Sequence, residues 1–145
     1  IEKELSDRGA AVMKQRHALA HKLACVIAQM HNLHIFHQDL YAKHIFVRRE
    51  GGGFVINIID LQRMRRSARE SFSIKDLAAL NVTLARRQVS KSDRLRFLAE
   101  YVRVRRGGPD RREVMKLARA VMKRSRHIGS RSKFREIDWS CSDRK

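Results

Sequence analysis

Two short β-rich runs, "HIFVRR" and "FVINIID", flank "EGGG" at residues 50–53, and this arrangement constrains the chain more than any other feature. A glycine-rich turn between two such runs predicts a hairpin over 45–60. Strands of a hairpin run antiparallel, so the start of the first lies beside the end of the second. The polar loop "FHQDLYAKH" feeds the first strand and Asp60 closes the second. Asp39, His44 and Asp60 are therefore expected to converge, with Ile45, Phe46 and Val47 reading as a buried strand segment beside them. Two carboxylates and an imidazole in one place suit a magnesium–nucleotide site. A hard cation takes carboxylate oxygens, and an aspartate not spent on metal can accept a hydroxyl proton.

The rest of the chain reads as helices. Leu19, Leu23, Val26, Ile27 and Met30 recur at helical spacing and predict a helix over roughly 9–32. Ser73 is expected to open a second helix, with Asp76 in a capping-box variant and Ile74, Leu77, Leu80 and Leu84 as its apolar stripe. A third starts near Ser90 to Ser92 and carries Leu95, Leu98, Tyr101 and Val102. "GGPD" breaks it, and Pro109 suits the first turn of a fourth helix bearing Val114, Leu117, Ala118, Val121 and Met122. From Ser125 the chain reads as a basic, Ser-rich tail, with Phe134, Ile137 and Trp139 as candidate pins. The fold class is mainly α with a small β-hairpin, with no internal repeat.

Protein kinases use His-Arg-Asp with Asn five residues on, then a hairpin, then Asp-Phe-Gly. Here "HQDLYAKH" supplies His37, Asp39 and, at the asparagine's place, His44; "IIDLQR" supplies Asp60. In order and spacing, "HQDLYAKHIFV", "INIIDLQRMR", "SIKDLAALN" and "SDRLRFLAEYV" resemble the lipopolysaccharide kinase (Kdo/WaaP) family. Those bacterial enzymes of the kinase-like fold transfer phosphate from ATP to a sugar of the lipopolysaccharide inner core. The likeness spans about Leu19 to Tyr101. Members are similar in placing histidine where kinases have asparagine, and Asp-Leu-x-Arg where they have Asp-Phe-Gly.

The resemblance implies an α+β kinase C-lobe over 1–127, with catalytic loop 36–44, hairpin 45–60 and helices 73–127, followed by a basic tail over 128–145. It implies ATP and magnesium as cofactors. Asp39 becomes the catalytic base and Asp60 the magnesium ligand, while Lys43 offsets charge on the transferring phosphoryl group. His44 is either a metal or phosphate ligand, or a hydrogen-bond partner of Asp39 or a phosphate oxygen, since imidazole is a poor first choice for magnesium. Asp76 would brace the catalytic loop through backbone amides, and His37 is expected to pack behind the site. The implied substrate is a Kdo or heptose hydroxyl of lipid A–Kdo or the core oligosaccharide.

Two departures shape this expectation. Gln38 stands where many protein kinases place an arginine that reads a phosphorylated activation loop, and the stretch from Asp60 to Asp76 is short. Both favour a sugar or other small-molecule acceptor over a protein. No glycine-rich phosphate loop or Val-Ala-Ile-Lys-like strand precedes the first helix, and "EGGGF" lies where it makes a turn. The chain is therefore expected to be the C-lobe of a longer enzyme, its N-lobe missing here, and inactive alone. The rival expectation is a non-catalytic basic scaffold that keeps the C-lobe shape.

Charge narrows the partners. Thirty-three Lys and Arg against fifteen Asp and Glu give a formal +18, which collects anions. The runs "RMRRSARES" and "RRGGPDRREVMKLARAVMKRSRH" suit an anionic glycolipid and an anionic membrane surface, at about 1 kcal/mol per cation near the leaflet. Nucleic acid is not expected: aromatics are 6% of the chain and not interleaved with the basic runs. Cys25 and Cys141 show no framework spacing, which fits a reducing compartment, with Cys25 an inert thiol in an apolar run. No apolar run approaches the ~18 residues that cross a bilayer. The expected location is cytoplasmic, peripheral on the inner face of the inner membrane. His17 and His21 lie four apart as a zinc pair would. They lack a third ligand at a plausible spacing, and read as surface or packing residues.

Overall fold

The computed structural model describes residues 2–84 and 88–130, with the side chains of residues 2–8 outside that description. In chain order they form α1 (Glu2–Asn32), β1 (Ile35–Phe36), β2 (Ile45–Glu50), β3 (Gly53–Ile58), β4 (Arg65–Arg66), α2 (Ser71–Thr83), α3 (Lys91–Arg106) and α4 (Arg111–Gly129). Single 3-10 turns lie at Ala42–His44 and Leu61–Arg63. The protein is mainly helical with small antiparallel ribbons, as its periodicities predict.

Helix α2 forms the centre. Leu77, Ala78, Ala79, Leu80 and Val82 are all buried, and a helix apolar on every side must be enclosed by its neighbours. Ala24, Ile27 and Ala28 of α1, Leu98, Tyr101 and Val102 of α3, and Val121 and Ile128 of α4 complete one core. Leu40 enters the same core fully buried, so the loop before β2 is anchored from inside.

The expected hairpin forms, with Ile45 opposite Ile58 and Glu50 opposite Gly53. Gly51 and Gly52 make its two-residue turn with φ of +56° and +77°, the left-handed pair that suits glycine and matches strand twist. The expectation of a buried strand fails: Phe46 is 55% and Val47 45% exposed. The reason is that the hairpin stands out from the helices, and its contacts among the described residues run mainly from β3 to α1. A second ribbon was not foreseen: β1 pairs with β4, Ile35 opposite Arg66 and Phe36 opposite Arg65.

Several helix boundaries differ from expectation. α1 starts well before residue 9, and α2 starts at Ser71 rather than Ser73. Asp76 caps nothing; its carboxylate is spent in the core, and Ser73 bonds the Glu70 carbonyl instead. Leu84 lies past the end of α2, where the Arg94 guanidinium caps the Asn81 and Leu84 carbonyls. Leu95 is 47% and Met122 43% exposed, so neither joins the apolar stripe. Pro109 precedes the N-cap Asp110, whose side chain accepts from the Glu113 amide. α4 runs through the expected start of the tail at residue 128 to Gly129, because Ser125 and Ile128 are buried on its inner face. Phe134, Ile137, Trp139 and Cys141 lie outside the described residues.

Helix α3 begins with a full capping box: the Ser90 hydroxyl accepts from the Asp93 amide, and the Asp93 carboxylate accepts from the Ser90 amide. Arg16 of α1 donates to the same carboxylate at 2.5 Å. The Ser90 hydroxyl first, then Arg16, hold the Asp93 carboxyl down at about 2. A depressed native pKa stabilises the fold above the ordinary carboxylate range and loses that effect as pH falls through the native value. Ser90→Ala should lower stability by about 1 kcal/mol at neutral pH. That deficit should shrink as pH drops from about 4 toward 2, which urea denaturation at stepped pH measures; a deficit that stays constant would exclude Asp93 as its source.

Candidate active site

The loop between β1 and β2 is held from beneath by one buried carboxylate. Asp76, fully buried on α2, accepts the His37 amide at 2.7 Å on Oδ2 and the Gln38 amide at 2.8 Å on Oδ1. Presenting two successive amides to one side chain demands a sharp bend, and Gln38 takes it with φ of +72°. His31 of α1 places Nε2 3.3 Å from Asp76 Oδ2, and its Nδ1 lies 2.8 Å from the Tyr101 hydroxyl of α3. With His31 donating to the carboxylate, Nδ1 accepts the phenol proton. Burial pushes the Tyr101 phenol up to about 12, so it remains a neutral donor. A second tether runs from the Ala42 amide to Thr83 Oγ1 at 2.9 Å.

The hairpin's far end is clamped to the same loop through Ile59. Its amide donates to the His44 carbonyl at 2.9 Å, and its carbonyl accepts from His37 Nε2 at 2.9 Å. Asp60, the next residue, turns left-handed with φ of +60° and ψ of +57°. His44 links the two aspartates. Its Nδ1 lies 2.9 Å from the Asp39 carbonyl, an acceptor, so Nδ1 carries the proton of that bond. Nε2 faces Asp60 Oδ2 at 3.4 Å. In the neutral ring those are two acceptors, so the contact is satisfied by a proton, a cation or a cation-bound water between them.

Asp39 is mostly enclosed, with a side chain 19% exposed, and both its oxygens are engaged. Arg63, at the end of the 3-10 turn after Asp60, donates from Nη1 at 2.9 and 3.2 Å, and the Tyr41 hydroxyl donates at 3.2 Å. Lys75 of α2 donates to Gln38 Oε1 at 2.9 Å. Burial first, and then the charge of Arg63, push its amine below the usual lysine range, while Asp39 and Asp76 pull the other way. Lys43 is exposed, its Nζ 6.0 Å from the Tyr41 ring centroid.

Of the six residues singled out from sequence, Asp39, His44 and Asp60 thus meet, His37 and Asp76 lie behind them, and Lys43 stands at the rim. Arg63, Lys75, His31 and Tyr101 were not foreseen. Arg63 and Lys75 sit inside motifs read from the sequence, "DLQR" and "SIKD", and adjacency to an expected site aspartate was the available signal. His31 and Tyr101 gave none, because their partners lie far away in the chain. An apolar cavity of about 250 Å³ between α1, α2 and α3, bordered by Leu23, Leu80 and Phe97, includes none of the site residues.

Comparison with known proteins gives the family and the fold. The model of the lipopolysaccharide kinase (Kdo/WaaP) family matches residues 3–101, more than half of the chain. The lipopolysaccharide core heptose(I) kinase WaaP of Pseudomonas aeruginosa is 30% identical over 94 residues, covering 61% of this chain and 35% of that protein. The chain therefore spans about a third of that relative's length. A solved structure of WaaP in complex with acyl carrier protein superposes with a TM-score of 0.64 at 25% identity, covering 79% of this chain and 49% of that one. The fold is thereby the kinase-like one.

The Asp76 tether generates its own test. Asp76→Asn leaves neither amide a charged acceptor and sets one of them against the NH2 donor, and should cost about 3 kcal/mol of stability. Hydrogen exchange at the His37 and Gln38 amides should accelerate beyond what global destabilisation explains. Unchanged relative protection there would remove Asp76 as the loop's anchor.

Proposed function

The chain belongs to the lipopolysaccharide kinase (Kdo/WaaP) family, and we propose that it carries the catalytic aspartates of an ATP-dependent sugar kinase. The acceptor in this reading is a hydroxyl of Kdo or heptose in the lipopolysaccharide inner core. One observation supports it: His44 bonds the Asp39 backbone carbonyl and faces the Asp60 carboxylate, so the residues read here as base and metal ligand flank one imidazole.

Asp39 accepts the proton of the sugar hydroxyl. It does so only after Arg63 releases its oxygens, and the freed guanidinium then has the transferring phosphoryl group as its neighbour. Asp60 fits magnesium, offering a hard carboxylate oxygen on a side chain 45% exposed. His44 Nε2 would accept from a water on such an ion and so help to hold it without ligating it. An ion held there with ATP would supply charge neutralisation across the phosphates. Lys43 reaches a phosphate by a swing of its flexible stem. His37 and Asp76 support the loop and touch no substrate. Catalysis in this reading is positioning and charge neutralisation around an in-line transfer.

No helix among the described residues is long and apolar enough to cross a membrane. We place the protein at the inner face of the inner membrane, its basic runs against the anionic glycolipid and leaflet. The solved WaaP holds acyl carrier protein, and we extend a protein partner of that kind to this chain.

In the full-length protein, Asp39→Ala should cut transfer from labelled ATP to purified core acceptors by ~10³-fold with the fold intact. Phosphotransfer by the variant at the wild-type rate would remove the base assignment, whereas no transfer by the wild type itself would favour a scaffold. Asp60→Ala should abolish magnesium-dependent nucleotide binding, measured by calorimetry with and without magnesium; an unchanged affinity would remove the metal role.

A further inference from the structure

Outside this site, the seam between α1 and α3 brings together donors that the phosphotransfer chemistry does not use. We propose that His21 and Cys25 of α1 and Glu100 of α3 form a zinc-binding site that clips the two helices together. His21 Nε2 lies 2.9 Å from Glu100 Oε1, Cys25 Sγ 3.7 Å from the same oxygen, and Cys25 Sγ 3.8 Å from His21 Nδ1. One donor atom from each residue lies within 4.8 Å of the others. Zinc bonds of about 2.3 Å to sulfur and about 2.0 Å to nitrogen or oxygen set tetrahedral edges of roughly 3.3–3.6 Å, so the donors must close in from a span of up to 4.8 Å.

The donor set selects the metal. A thiolate with imidazole and carboxylate suits zinc, whereas magnesium and calcium want oxygen alone. His21 and Cys25, four apart on α1, share one face of that helix. The His21 side chain is 58% exposed, so its ring can turn to present a single nitrogen, and water takes the fourth position. Arg103 donates from Nε to both Glu100 oxygens, at 3.0 and 2.9 Å. That guanidinium keeps Glu100 ionised, holding its carboxyl below the usual range. It also stays on as the outer partner that orients a ligating carboxylate.

Two alternatives fare worse. As a nucleophile Cys25 is poorly placed, because burial and then the Glu100 charge push its thiol up, away from the reactive thiolate. A metal ion replaces that proton and reverses the balance. Zinc with one thiolate and one carboxylate is a locally neutral centre, and because binding displaces only the Cys25 proton it adds one net charge to a chain at +18. The His17–His21 pair visible in the sequence is not the site. His17 lies outside the cluster, and the ligands missing from the sequence pattern come from Cys25 and, across the seam, Glu100.

Cobalt(II), a coloured stand-in for zinc, tests this when titrated into tag-free, reduced, full-length protein. One equivalent should raise a thiolate-to-cobalt charge-transfer band that zinc then displaces. The band should persist in Cys141→Ser, vanish in Cys25→Ser, and require at least ~10-fold more cobalt in His21→Gln, whose exposed position leaves the fold undisturbed. Zinc should raise the thermal midpoint of the wild type by about 5 °C, and not that of Cys25→Ser. No band at submillimolar cobalt, or a band that survives Cys25→Ser, would overturn the site.

Discussion

A carboxylate sealed in the core must be compensated or its burial costs several kcal/mol, and the site rests on how Asp76 is compensated. Its two oxygens accept the amides of His37 and Gln38, so the cheapest way to bury the charge is also what fixes the loop. His31 and Tyr101 extend the same network to α1 and α3. Three helices and the loop thus share one set of hydrogen bonds. Removing any member leaves a buried polar group unpaired, which is why such a network rigidifies what it holds.

From that anchored loop the second half of the site follows by short steps. Leu40, buried between Asp39 and Tyr41, forbids the loop from rolling. The Ile59 backbone is gripped by the His44 carbonyl and the His37 ring, so Asp60 can leave the hairpin in one direction only. Its left-handed conformation is the local cost of aiming the side chain back toward His44. Antiparallel pairing brings the hairpin ends together; the two histidines turn that rough proximity into a contact of 3.4 Å.

The sequence made legible what depends on neighbours in the chain. Helical spacing showed the helices, "EGGG" showed the hairpin, and the antiparallel rule showed that Asp39, His44 and Asp60 meet. What failed was whatever depends on packing. By spacing Asp76 looked like a cap, because a carboxylate three residues after a serine is the same pattern whether it faces a helix end or a distant loop; the brace on the loop's amides was implied by the family resemblance alone. Phe46 and Val47 looked buried, because apolar strand residues carry no sign of what covers them. The two-residue ribbon of β1 and β4 is too short to show any period. Helix α4 outlasted its expected end because single inward positions, Ser125 and Ile128, escape notice in a basic run. The His21, Cys25 and Glu100 cluster was not foreseen, because spacing paired His21 with His17, Cys25 read as an inert thiol, and Glu100 lies 75 residues beyond it.

The ion pair of Arg63 with Asp39 raises a last point about the resting site. It covers both oxygens of the proposed base, as a lock would. Its magnitude argues otherwise. The Arg63 side chain is 64% exposed, and a pair of that kind contributes at most about 1 kcal/mol. A nucleotide's phosphates offer the same guanidinium more charge at bidentate geometry. Lys75, partly buried and bonded to Gln38, stays near Asp39 when Arg63 leaves. In the proposed reading the carboxylate keeps one cation beside it while the other moves to the incoming charge, and the resting ion pair with Arg63 is exchanged for substrate at small cost.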